Sequence, residues 1–373
     1  MKNVFSLNEC LQNKPWEIRF SNIQALSYRL ALKDKKGSKG LDGREFLLFS
    51  YLSFLLSRPL SYEDCMEIEE KGKSDPDYMF LLSRFHSEGY PGFGKDPEKA
   101  FGYLLSCAES KDQDAYLPLS LCYGFGDGVK QDIKKAYETL EKSTPNDRRS
   151  LMFALLRSND DDCEVRKRGL FELECFAKRG NPDAYYYLGR YYESIDQTKA
   201  MDYFLEGSNL KSARCNRELG YIHLHRKGRE NRYRALAYFL LCQGYKDCTF
   251  LASLLLLNLN TADMDILFSL LLRSSDQGNL YAYYLKTLLF YRLDHEAGLN
   301  ALLRLAKNNS EACHALSILY RRRGKKNLSV YFERRGKREL DGKDVVSIKE
   351  YYLKEYPFPE LFDNAENHAL MLK

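Results

Sequence analysis

The strongest constraint in this chain is a stretch that keeps returning. Leu119 to Ala136, LSLCYGFGDGVKQDIKKA, joins an apolar run, a glycine-rich turn, an aspartate and a Lys-Ala pair that opens a second apolar run. The same order recurs at residues 81–110, and more weakly at 185–208 and 217–244. Taking the residue that opens each second run as a marker gives Ala100, Ala136, Gly169, Ala200 and Ala235, with weaker markers at Leu267, Gly298 and Ser329 and Ser61 ahead of them all. The steps between markers run from 31 to 39 residues. A period in that range signals a helical array, because one helix–turn–helix is too small to bury its apolar face and must stack on its neighbours.

The chemistry inside the period agrees. Gly126 and Gly128 can supply the positive φ of a tight turn, and Asp132 is placed to cap the helix that follows. Gly189 and Gly220 fall in mid-helix, where glycine costs about 1 kcal/mol relative to alanine. That cost makes sense only if another helix packs closely there. Tyr203-Phe204 and Tyr238-Phe239 lie three and four residues after their marker alanines and share the marker's face. They are expected to fill the space between layers.

These residues carry a resemblance. The Leu-Gly pairs (Leu188-Gly189, Leu219-Gly220), the G-x-G-V turn from Gly126 to Val129 and the D-x-x-K-A start from Asp132 to Ala136 resemble the Sel-1-like repeat family, a relative of the tetratricopeptide repeats. The likeness spans roughly residues 61–340, and the units near 145–180 and 246–300 lack the turn glycines. It implies an all-α fold: a right-handed α/α superhelix, or solenoid, of about nine antiparallel helix pairs. The expected organisation is an N-terminal helical cap at 1–43 containing a helix over Trp16–Lys33, the solenoid at 44–340, and a C-terminal capping helix and tail at 341–373. The first helix pair is read as Phe46–Leu56, stopped by Arg58-Pro59, then a helix started by Ser61 with Glu63 and Asp64 in its first turn.

Composition removes several classes. Hydrophobic residues at 44% and charged residues at 29% fit neither a disordered nor a membrane chain. The N-terminal MKNVFSLNECLQNKPW offers no apolar run for a signal peptide. Phe46–Leu56 and Leu251–Leu257 are the most apolar stretches, and both are shorter than the roughly 20 residues a membrane helix needs. A cytoplasmic protein is expected, with export as an effector left open. The ten cysteines form no C-x-x-C and no zinc spacing, so they are read as buried free thiols, with a disulfide staple between stacked helices as the alternative.

No catalytic, cofactor-binding or metal-binding constellation is present. His223-x-His225 is the closest histidine pair, but positions i and i+2 of a helix face different ways, so a packing or surface role is expected. Asp160-Asp161-Asp162 reads as a solvated loop, and GYPGFG (89–94) reads as a repeat turn, since it lacks the GK[ST] ending of a phosphate loop.

What remains is binding. Arg321–Arg338 holds nine Lys/Arg against Glu333, and Arg226–Arg234 holds five against Glu230. Both fall at the turn between the two helices of a unit, where Arg321, Arg322, Arg323, Arg229 and Arg232 could meet an acidic partner. By analogy with tetratricopeptide arrays, the first helix of each unit lines the concave face, which makes Tyr185, Arg190, Asn216, Tyr221, His314 and Ile318 candidate contacts. Val345–Tyr356 is expected as one more helix, and YPFPELF (356–362) as an extended, Pro-broken segment that is either part of a folded-back cap or a dock for another protein. The function read from all this is a non-enzymatic adaptor for a protein or peptide partner. One rival is a cysteine-rich-repeat enzyme that binds or hydrolyses β-lactams, which the absence of a regular cysteine pair in each repeat opposes; Cys242 and Cys248 come nearest to one. The other is nucleic-acid binding at Arg321–Arg338, disfavoured because the interleaved aromatics Tyr233, Tyr331 and Phe332 fit the repeat core.

Overall fold

A computed structural model describes residue 41 and residues 43–371, apart from residues 56–59, 227, 243, 260–263, 277–278, 294, 308 and 338–346. The expected N-terminal cap lies outside them but for its last positions. Twenty helices and no strands are found among the described residues. They fall into two compact units divided after Leu210.

The first unit begins with α1 (Gly43–Leu55) and α2 (Tyr62–Lys71). Ser61 caps α2: its hydroxyl accepts from the Asp64 amide at 3.1 Å while Asp64 accepts from the Ser61 amide at 3.3 Å. Ser61 is therefore an exposed cap and not a packing position like the other markers. Both α1 and α2 lie against α3 (Pro76–Glu88), which pairs with α4 (Pro97–Glu109). Three more hairpins follow: α5 (Gln113–Phe125) with α6 (Ile133–Glu141), α7 (Asp147–Ser158) with α8 (Cys163–Lys178), and α9 (Pro182–Tyr192) with α10 (Gln197–Asn209).

The local chemistry explains the boundaries. Asp75, Asp96, Asp112, Asp132, Asn146, Asp162, Asn181 and Asp196 each accept a backbone amide of the helix they precede, and each such cap is worth about 1 kcal/mol. Pro76, Pro97 and Pro182 stand in the first turn, where the missing N–H is no loss. Gly126 ends α5 at φ +75° and Gly128 follows at φ +70°. A Cβ on Gly128 would stand 2.0 Å from the Pro97 carbonyl oxygen, so this turn is pressed onto the preceding hairpin.

The second unit continues the scheme with α11 (Ala213–His225), α12 (Arg229–Leu241), α13 (Lys246–Leu259), α14 (Met264–Asp276), α15 (Leu280–Leu293), α16 (His295–Leu305), α17 (Ser310–Arg322) and α18 (Lys326–Gly336). The units lacking turn glycines are hairpins too. Their markers, Gly169 and Gly298, let helix backbones meet: an added Cβ would fall 2.3 Å from the Ser158 nitrogen or 2.2 Å from the Tyr291 Cα. The markers from Ala100 to Ser329 are all buried.

The chain then turns back. The helices α19 (Ile348–Glu355) and α20 (Pro359–Met371) pack on α13, α15 and α17, which are first helices of hairpins. Phe362 is fully buried, 5.9 Å from the Phe250 ring and 5.0 Å from that of Tyr281, and Tyr352 and Tyr356 each approach Phe250 to 5.6 Å.

Candidate functional site

In the first unit the candidate contacts sit on α9, whose sequence PDAYYYLGRYY loads one short helix with tyrosines. Leu188 and Gly189 face inward, and the Phe204 ring lies where a Gly189 side chain would be. Tyr185, Tyr187 and Tyr192 remain half-buried on the neighbouring rows. Tyr192 stacks on Tyr203 at 5.6 Å, with the Lys199 ammonium 3.8 Å above Tyr192, and Tyr185 stands 6.5 Å from Tyr203. The Tyr203 hydroxyl donates to Glu174 at 3.3 Å. Burial, helped by Glu174, pushes that phenol up to about 12, so it remains a neutral donor. Arg190 is exposed and pairs with Glu193. The result is an ordered aromatic surface with a cation at its margin.

The second unit departs from expectation at Asn216, which is only 3% exposed. It lies inside the α11 packing face and offers no contact surface, because the repeat period fixes spacing more tightly than helix rotation. Tyr221 is half-buried and donates to Asp247 at 2.8 Å, where the Arg217 Nε also donates at 2.6 Å. Burial and then the Asp247 carboxylate hold the Tyr221 proton well above the usual phenol range. The two histidines part company. His223 is buried, stacked on Tyr238 at 5.6 Å and 3.2 Å from the Asn231 Oδ1. His225 is exposed, with its ring 5.0 Å from Phe358.

The basic turns are only partly open. Arg232 donates to Asn258 at 2.7 Å and to Glu360 of α20 at 2.9 Å, whereas Arg229 is exposed over Tyr233. Arg321 and Lys337 share Glu333, each at 3.3 Å. Arg322 and Arg323 are exposed, with Arg323 5.3 Å over the Tyr291 ring.

Three of the expected contacts do converge. His314, Ile318 and Arg321 line a cleft of about 770 Å³ beside α17, with Lys337, Lys349 and Asp363 on its other sides. At its base is Glu311, which nothing in the local sequence singles out. Its carboxylate accepts from the Ser347 hydroxyl at 2.6 Å and the Lys349 amide at 3.1 Å, so a residue of α17 fastens the start of α19. Lys349 in turn pairs with Asp363 of α20.

Among the described residues no three metal-ligating side chains gather, no helix is long and apolar enough to cross a membrane, and the nine cysteines are unbridged. Cys242 and Cys248 are buried neighbours, and burial raises the Cys248 thiol far from ionisation. Asp162 of the acidic triplet caps α8, and Asp160 accepts from the Tyr137 hydroxyl at 3.3 Å.

The Sel1 repeat family matches this chain at residues 76–112, 114–143, 182–212 and 213–241. A curated relative, chitin synthase regulatory factor 3 of Schizosaccharomyces pombe, is 30% identical over 129 residues, which is 33% of this chain and 14% of that protein. The chain thus spans only a small part of that relative. Among solved structures, a Sel1 repeat protein from Oxalobacter formigenes is 19% identical at a TM-score of 0.29, covering 56% of this chain and 96% of its own. A protective antigen of uropathogenic Escherichia coli strains with an SLR fold is 16% identical at 0.37, covering 95% and 75%. Every matched segment is one of the hairpins described above, α3–α4, α5–α6, α9–α10 or α11–α12: those four hairpins are Sel1 repeats.

Proposed function

We propose that this protein is a non-enzymatic scaffold that holds a protein or peptide partner. Sel1 repeats are protein–protein interaction modules, and the observation that carries the reading here is the ordered aromatic face of α9. Tyr185, Tyr187 and Tyr192 are held by packing yet still partly exposed. Rigid tyrosines of this kind lose little entropy on binding and are common interface anchors. Arg190 stands beside them, and His314, Ile318 and Arg321 provide a second contact region within the other unit. The exposed Arg229, Arg322 and Arg323 suit an acidic partner, with Arg321 contributing beside Glu333. The name of the yeast relative describes a regulator, in keeping with binding and not catalysis. Unbridged cysteines favour this over a cysteine-bridged β-lactam-binding enzyme, and they support a reducing compartment such as the cytoplasm. Arg232 and Arg321 already meet carboxylates, which weakens the nucleic-acid reading.

The test is an affinity capture from the source cell with the intact protein, Tyr185→Ala and Arg190→Ala. Loss of a defined partner with either variant, while the thermal midpoint holds, supports the reading. Recovery of the same partners in the same amounts with all three proteins removes α9 as the binding surface.

A further inference from the structure

The hairpins close the gaps between them in a regular way, and they fail to do so at α18. One residue after the marker in α4, α6, α8, α12 and α16 stands an apolar side chain that packing covers. Phe101 meets Tyr123 of the next hairpin edge-on at 5.3 Å, and Tyr137 stacks on Phe153 of the next at 6.1 Å. Leu170, Leu236 and Leu299 at the same position pack into the cores of their units. In α18 the residue is Val330, and it is 45% exposed, with Tyr331 next to it at 51%, whereas Leu328 at 40% lies on the other flank of the helix. The helices that follow do not stack there, because α19 and α20 lie against α13, α15 and α17 instead.

An array end needs a polar outer face to stay soluble, and a cluster of exposed apolar side chains marks a contact surface. The rim of this one is cationic. Lys325, Lys326, Arg334 and Lys337 are exposed around it, and Glu333, the one acid in α18, is engaged by Arg321 and Lys337.

We propose that the outer face of α18 docks an amphipathic helix of a partner protein that carries acidic residues beside its apolar stripe. The repeat supplies the shape: where α4 and α6 present this position, a helix of the following hairpin lies beyond it. The rim supplies the charge, since four exposed cations favour a carboxylate-bearing partner and disfavour a basic one. This surface is separate from the α9 face, so either can fail alone.

The full-length protein is titrated with a synthetic helical peptide of about 20 residues, leucines at i, i+3, i+4 and i+7 and glutamates flanking them, and with a scrambled peptide of the same composition. Saturable binding of the first alone is expected. Val330→Arg leaves the rim cations in place, adds one more and blocks the apolar contact, so weaker binding reports the lost apolar contact alone, and it should weaken binding about tenfold or more. The pair Arg334→Glu and Lys337→Glu should weaken it similarly and flatten its salt dependence. Val330, Arg334 and Lys337 are exposed, so an unchanged thermal midpoint verifies folding. Equal binding of the scrambled peptide, or undiminished binding by Val330→Arg, overturns the proposal. So does association with phosphatidylserine vesicles, or with a second copy, that Val330→Arg abolishes while the helical peptide does not bind.

Discussion

Gly189 and Gly220 are where single residues decide how close two helices come. A methyl group on Gly189 would stand 2.4 Å from the Phe204 ring, and one on Gly220 would stand 2.5 Å from Phe239. Alanine would gain about 1 kcal/mol of helix propensity. Both rings are fully buried, so overpacking of about 1–3 kcal/mol should exceed that gain. Urea unfolding of Gly189→Ala and Gly220→Ala should therefore show a lower midpoint, and a midpoint at or above that of the parent would refute the close approach. His223 gives a second test at this scale. Its pKa is lowered chiefly by burial, against a hydrogen bond with Asn231 that raises it. The unfolded imidazole takes up a proton near pH 6.5 while the folded one resists. The unfolded state then binds more protons, so stability should fall as pH drops below about 6.5 and level off once the folded group titrates. Denaturation series between pH 8 and 5 should show this slope in the parent and a shallower one in His223→Phe, which keeps a ring against Tyr238.

At the scale of the element, what could be read from the sequence was what is chemically local. Asp132 caps α6 with its Oδ1 3.0 Å from the Lys135 amide, and Gly126 and Gly128 take the positive φ that their turn demands. Neither needs a distant partner, so each left its mark in the residues themselves. Units with no turn glycine were harder to read because Gly169 and Gly298 act through close approach to a neighbouring backbone, which no short motif announces. Of the candidate site, His314 and Ile318 come from the tetratricopeptide analogy and Arg321 from its basic run, and the fold sets all three along one cleft, whereas Asn216 turns into the packing face. Glu311 stayed hidden because its partners, Ser347 and Lys349, belong to α19. That fastening predicts a local effect. Glu311→Ala leaves the start of α19 without its carboxylate, costing about 1–3 kcal/mol for the unmet groups. Trypsin should then cut after Lys349 or Lys354 faster than in the parent, while α9 keeps its protection. Equal cleavage rates would show that α19 is held without Glu311.

For the whole molecule, each of the two units carries its own core. In the unit after Leu210 the core is completed by the chain's own last helices, since Phe250, Tyr281, Tyr352, Tyr356 and Phe362 form one aromatic cluster drawn from α13, α15, α19, the turn after it and α20. Two further contacts tie the same segments: the Tyr352 hydroxyl accepts from the Leu280 amide at 3.1 Å, and Arg232 reaches Glu360. The tail thus covers part of the first-helix surface, and the cleft at His314 lies beside it. Such a tail is either core or a removable cover, and the two differ in energy. Phe362 is fully buried, and truncating a buried phenylalanine to alanine costs about 3–5 kcal/mol. If the tail is core, Phe362→Ala should lower the thermal midpoint by several degrees, and a chain ended at residue 346 should bind a hydrophobic dye and lose its cooperative transition in this unit. A truncated chain that melts like the parent would make the tail a cover, and the first-helix face beneath it an available binding surface.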